Sequence, residues 1–455
     1  MPECQDELRP VSFREAFRVW LKIGVLGFGG PAGQIALMQR IVVDEKRWVD
    51  EQRFLHALNY CMLLPGPEAQ QLAIYLGWLT HRTLGGLTAG VLFVLPGAAL
   101  MLCLSMFYAV NHEQPAAQAL FFGVKAAIFA VVIDAVLRIG KRALKNRMMT
   151  GLAAAAFIAI FFFQIPFPLV ILSAALTGFA RARFNPEIIS QILPFSREGL
   201  SRGDTLRYED SETCALPPVA RAIRIIVVSL ILWFAPVLGF AVWQGNASIF
   251  VTLALFFSKM AMVTFGGAYA VLTYVAQQVV ESYAWLSADE MLDGLGLAET
   301  TPGPLILVLQ FVGFLAAYRQ PGLLDPMVAG VLGALLTTWV TFVPCFLWIF
   351  LGAPYIKALR GNVPLNAALS AITAAVTGVI TSLAVWFGLH VLFGVVVETH
   401  RFGVRLFIPV WNTLDPVALI LAAAALIALL HFKIGMIPTL VSSTALGMAY
   451  YYILH

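Results

Sequence analysis

The chain has 455 residues, of which 60% are hydrophobic and 12% charged, with a formal net charge of +4. An ordinary soluble domain carries about a quarter charged residues, so a water-soluble globular fold is excluded. The small basic excess sits in short connecting stretches, where it reads as an orientation signal rather than a nucleic-acid footprint.

Residues 1–12, MPECQDELRPVS, lack the basic start and small-residue cleavage site of a signal peptide and are expected to persist as a cytoplasmic tail. Region 13–182 is apolar, and its runs 84–110 and 117–137 are each long enough to cross a bilayer. It is interrupted at Phe28-Gly29-Gly30 and at Pro65-Gly66-Pro67. A polar linker, 183–224, leads to a single apolar run at 225–243. Region 249–455 resumes the pattern, with its own long run at 327–351 and interruptions at Phe265-Gly266-Gly267 and Pro302-Gly303-Pro304. The expected fold is an all-α polytopic membrane protein.

The two regions repeat one another. KIGVLGFGGPAG at Lys22 matches KMAMVTFGGAYA at Lys259, an offset of 237 that also superposes Trp48 on Trp285 and Pro65-Gly66-Pro67 on Pro302-Gly303-Pro304. Past RQPGLLDPM the offset becomes 248, aligning Pro96 with Pro344, and later 269, aligning Gly178 with Gly447. The lone crossing at 225–243 between the copies predicts opposite orientation for the second. Arg138, Lys141, Arg142, Lys145 and Arg147 cluster in one loop, whereas its counterpart, 388–413, carries only Arg401 and Arg405, as inversion requires. The N-terminus is then expected inside and the C-terminus outside. Loop 44–53 keeps its basic residues inside only if each interrupted segment enters, breaks and returns, which predicts re-entrant hairpins broken at FGG and PGP.

Broken backbone at membrane depth is tolerated where protein buries it or where it lines a cavity. Half-helix N-termini present free amide hydrogens and partial positive charge, which suits an anion. Phe28, Gly29, Gly30, Pro65, Gly66, Pro67, Phe265, Gly266, Gly267, Pro302, Gly303 and Pro304 are therefore the expected substrate site. Lys22 and Lys259 stand at equivalent positions before each FGG, to supply charge there or to snorkel to an interface. Gln70, Gln71 and Gln310 follow the PGP breaks, as donors to oxyanion oxygens or as packing residues. Glu68 and Glu299 flank the PGP motifs, as proton carriers or helix caps. Asp134 is a further proton-coupling candidate; Lys125 shares its segment on the opposite helix face.

Cys4, Cys61, Cys103, Cys214 and Cys345 show no CxxC spacing and the histidines are scattered, so neither a disulfide framework nor a metal or other cofactor is indicated. GxSxG, HExxH, Walker and dinucleotide motifs are all missing, which argues against an enzyme or an ATP-driven pump. The small residues of GLTAG at Gly86 allow helix contacts and a homodimer.

FGGPAGQIALM and LLPGPEAQQLAIYLGW in the first half, with TFGGAYAVL and TTPGPLILVLQFVGF in the second, resemble the signature blocks of the chromate ion transporter (CHR) family. The resemblance covers nearly the whole chain and implies a long member built from two fused, oppositely oriented domains. It further implies an inner-membrane protein that expels chromate, driven by the proton gradient or by exchange against an anion such as sulfate. The copies differ where Pro31 meets Ala268 and Glu68 meets Leu305, so the halves are not expected to contribute identically.

Overall fold

The computed structural model describes residues 11–184, 219–265, 268–353 and 363–454, so Gly266, Gly267 and most of the expected linker lie outside the described residues. The first half contains α1 (Phe13–Leu26), α2 (Gly30–Gln39), α3 (Glu51–Cys61), α4 (Glu68–Asn111), α5 (Pro115–Ala143), α6 (Arg147–Phe161) and α7 (Phe167–Phe184). Linking helix α8 (Val219–Gln244) follows. The second half contains α9 (Ile249–Val263), α10 (Ala268–Gln277), α11 (Ala288–Thr300), α12 (Val308–Arg319), α13 (Pro326–Gly352), α14 (Val363–Leu392), α15 (Pro416–Leu430) and α16 (Met436–Leu454). Among the described residues, six helices are long and apolar enough to cross a membrane. The protein is an all-α polytopic membrane protein.

One departure is a β-hairpin of β1 (Val396–Arg401) and β2 (Val404–Pro409), within a stretch read from sequence only as a loop. Phe402 and Gly403, with φ of 52° and 75°, form its two-residue turn, whose positive φ values suit the right-handed twist of the strands. Arg405 anchors the hairpin through an ion pair with Glu281 at 2.6 Å.

Four short helices enter toward the centre of the fold: α1, α3, α9 and α11. At 14 residues α1 extends about 21 Å at 1.5 Å per residue, short of the roughly 30 Å hydrocarbon core. Each entering helix starts with a side-chain cap, from Ser12, Asp50, Ser248 or Ser287, and Ser287 with Glu290 completes a capping box.

The chain doubles back after each pair of half-helices. Lys46, beyond α2, reaches Glu15 at the start of α1 at 2.7 Å. Arg319, at the end of α12, donates to the Trp285 carbonyl at 2.7 Å and to Glu290 at 3.0 Å, both at the entry to α11. In the first half α4 bends instead of ending, with non-helical backbone at His81 and Arg82. That bend occupies the place where RQPGLLDPM separates α12 from α13. His81 lies against Phe13 with ring centroids 5.5 Å apart, and from the bend α4 runs about 40 Å to Asn111.

The halves interlock. α5 packs on α15 and α16 of the second half, and α14 packs on α6 and α7 of the first. Backbone approach at Gly447 places a Cβ there 2.6 Å from the Gly123 Cα. At the equivalent crossing, a Cβ on Gly178 would meet the Ala371 Cβ at 2.7 Å. The pairs Gly123–Gly447 and Ala371–Gly178 thus exchange under the sequence offsets. Gly86 and Gly90 of the GLTAG stretch face Phe350 and Phe346 of α13 in the same chain. They are used within one copy and give a homodimer no support.

Candidate functional site at the crossing of the helix breaks

Each break follows from its residues. Gly29 and Gly30 adopt φ of 93° and 64°, a region open to glycine at little cost. In Pro65-Gly66-Pro67 and Pro302-Gly303-Pro304 only the central glycine has an amide hydrogen, and each proline disfavours helical backbone in the residue before it. Those two lone N–H groups define the site. Gly66 N donates to Thr264 O at 2.8 Å, and Gly303 N donates to Gly27 O at 2.9 Å. Gly27 and Thr264 are equivalent residues just before the two FGG motifs, so each PGP break is bonded to the FGG break of the other half.

The contacts around this crossing are reciprocal as well. Gly97 of α4 lies so near the second PGP that a Cβ there would stand 2.0 Å from Pro302 O. Its equivalent, Cys345 of α13, fills the matching position against the first, its Sγ 3.0 Å from where a Cβ on Gly66 would be. Thr264, Thr301, Pro302, Gly303, Pro304 and Gln310 are buried, as are Gly66 and Pro67, whereas Phe28, Gly29, Gly30, Pro65 and Phe265 are half-buried.

At the crossing the helix starts are bare. α2 begins after Gly29, α4 after Pro67, and the turn before α12 after Pro304, none with a side-chain cap. The entering helices, by contrast, are all capped. Bare N-termini leave amide hydrogens and the positive ends of helix dipoles available to a negatively charged guest.

The sequence-singled polar residues divide into two groups. Gln70, Gln71 and Gln310 are buried beside the breaks. Gln71 donates to Pro65 O at 2.7 Å and Gln310 to Ala98 O at 2.9 Å, so each has one of its two amide hydrogens engaged with the backbone. Glu299 is buried one turn before the second PGP, where it accepts a hydrogen bond from Tyr269. Glu68 is half-buried at the first turn of α4.

The other group stands away from the crossing. Lys22 is exposed on a face of α1 with Leu21, Val25 and Leu26, and Lys259 on a face of α9 with Leu255 and Met262. Of the two readings given for these lysines, the exposed apolar side chains around both favour the second, in which long stems carry the ammonium groups toward an interface. Lys259→Ala should therefore leave uptake within about twofold of the parent, as surface changes usually do; a loss of substrate affinity in a vesicle assay would return it to the site. Asp134 pairs with Arg138 four residues on in α5. Arg138 is near enough for its charge to act on Glu299.

Gln34 went unnoticed in the sequence. Fully buried, it donates to Gly27 O at 3.1 Å and also to Gly303 O, clamping the first FGG break to the second PGP break. A lone amide in the apolar run GPAGQIALM is the signal that marks it. Its counterpart Val271 bears no polar group, so the two ends of the crossing differ chemically.

Paired interrupted helices at the meeting of two interlocked halves define a multi-pass membrane protein, with the helix breaks as its candidate site. The sequence profile described as Chromate transporter matches residues 14–179 and again 251–448, and the chain belongs to that family. It is similar to the chromate transport protein of Pseudomonas aeruginosa, 32% identical over 82% of this chain and 80% of the relative. It is 28% identical to the chromate transport protein of Cupriavidus metallidurans, over 98% of this chain and 94% of the relative. The probable chromate transport protein of Synechococcus elongatus is 27% identical over 91% and 95%. No solved structure matches the chain.

Proposed function

We propose that the protein is a secondary transporter that exports chromate, or a kindred tetrahedral oxyanion, across the inner membrane by alternating access between two inverted repeats. The observation that carries this reading is the reciprocal pair of backbone bonds, Gly66 N to Thr264 O and Gly303 N to Gly27 O. They tie the four breaks into two pairs, each across the halves, so relative motion of the halves must rearrange them. The bare N-termini of α2 and α4 and the turn before α12 are the groups suited to an anion.

Inversion is supported by the ends at which contacts gather. Glu15, Lys46 and His81 meet near the start of α1, whereas Trp285, Glu290 and Arg319 belong to the end where α4 finishes. The C-terminal helix finishes at that second end too, with Tyr451 donating to Gln118. The basic cluster Lys141, Arg142, Lys145 and Arg147 favours an inner position for the first end, with the C-terminus outside.

Glu299 is our choice of proton carrier, with Glu68 second. A carboxylate buried beside a tyrosine at the end of a half-helix is costly to keep charged and gains or loses a proton as the surroundings change.

Uptake of labelled chromate and sulfate into everted vesicles, with and without an acid interior, tests the proposal. Chromate accumulation stimulated by the gradient is expected. Sulfate movement without chromate movement overturns the substrate, and accumulation indifferent to pH overturns proton coupling. Glu299→Gln is expected to remove the stimulation while leaving exchange at equal pH.

A further inference from the structure

We propose that Tyr108, Lys125, Asp289 and Asp293 form a charged gate that closes the approach to the helix breaks from the Asn111 end of the molecule. The inference rests on the transport reading above and concerns how the site is reached.

The Tyr108 hydroxyl, on α4, donates to Asp293 Oδ2 at 2.9 Å. Lys125 Nζ, on α5, lies 2.9 Å from Asp289 Oδ1 and 3.5 Å from Asp293 Oδ1. Both donors belong to the first half and both carboxylates to the second. Tyr108 and Asp293 are buried, Lys125 is half-buried and Asp289 is exposed, so the cluster runs from the surface inward. It follows α11, whose far end is the break itself: Asp293 stands about 12 Å along the helix from Thr301.

The cluster spans the seam that alternating access has to open. On its other flank α11 is held within its own half by the Glu290–Arg319 pair and by Gly294, where a Cβ would strike Phe311 at 2.4 Å. α11 and α12 therefore move together. Tyr108 rests edge-on against Phe311 and Phe121, with centroids 5.0 and 5.2 Å away. Parting the halves here separates Lys125 from a buried carboxylate and uncovers that aromatic contact together.

The repeat does not reproduce the device. Under the same offsets, Asp289, Asp293 and Lys125 correspond to Gln52, His56 and Thr373, and Tyr108 to Ile356. The equivalent positions thus carry neither the carboxylates nor the lysine. Breaking one partner of a buried pair leaves the other charge uncompensated, which favours conformations where water reaches it.

In a protein with its five cysteines replaced, Thr301→Cys is labelled by an impermeant maleimide added at the Asn111 end, with Asn111→Cys as a control for access. Lys125→Gln and Asp293→Asn are each expected to speed labelling of position 301 about tenfold, within the usual range of coupling between sites. Lys125→Arg, which keeps the pair, should stay at the parent rate. Tyr108→Phe removes only the hydroxyl and should give a smaller rise, so it also serves if a charge variant fails to reach the membrane. Unchanged labelling in Lys125→Gln, Asp293→Asn and Tyr108→Phe overturns the gate. Because labelling requires no substrate, failure of the chromate reading would appear in the uptake assay and leave these rates untouched.

Discussion

Gly97→Val is expected to cut chromate uptake by more than about tenfold and to destabilise the fold by about 1–3 kcal/mol, the usual cost of overpacking. A Cβ at this position would stand 2.0 Å from Pro302 O and 2.8 Å from a Leu307 methyl carbon. The first obstacle is backbone, and that backbone is held by Gly303 N bonding to Gly27 O across the halves. It cannot step aside as a flexible side chain can, so the strain passes directly into the crossing. The equivalent position already carries a side chain, Cys345, so Cys345→Ala should cost far less. Gly151→Ala is a second control, because its Cβ would meet nothing within 4 Å. Normal uptake by Gly97→Val would mean that the contact between α4 and the second PGP does not hold the crossing together.

Much of this arrangement was legible in the chain because a repeat leaves the same residues at fixed offsets. The offset of 237 pairs Gly27 with Thr264 and Gly66 with Gly303, and the structure bonds those residues crosswise. The later offsets align residues that make the exchanged pairs Gly123–Gly447 and Ala371–Gly178. Glycine and proline mark the breaks because they alter what the backbone is able to do, which needs no knowledge of neighbours.

Side-chain direction was harder to read. Lys22 and Lys259 lie in apolar surroundings, but apolar sequence flanks a helix face turned to lipid as readily as one turned to a site. Asp293 was not singled out in the sequence, since its partners Tyr108 and Lys125 belong to the other half of the chain. The hairpin at 396–409 was missed because its short strands were counted within a loop. In each case the deciding information is a contact distant in sequence, on which local pattern carries no weight.

Gln34 gives the sharpest test of the crossing. Gln34→Leu keeps the volume of the side chain but removes its hydrogen bonds to Gly27 O and Gly303 O. Gly27 O retains Gly303 N as a donor, whereas Gly303 O is left without this partner in a buried setting, at a cost of about 1–3 kcal/mol. Uptake should fall at least about tenfold, since a shift of 1.4 kcal/mol is already a factor of ten. Gln34→Glu is expected to be worse, because it sets a carboxylate against two carbonyls, and burial of that charge favours separation of the breaks. Val271→Leu, at the equivalent site, should be mild because no polar bond is lost there. If Gln34→Leu and Val271→Leu reduce uptake equally, the clamp is only packing and the two ends of the crossing act alike. If only the Gln34 variants fail, the asymmetry is functional, and the coupling between the first FGG and the second PGP is the joint around which the halves exchange access.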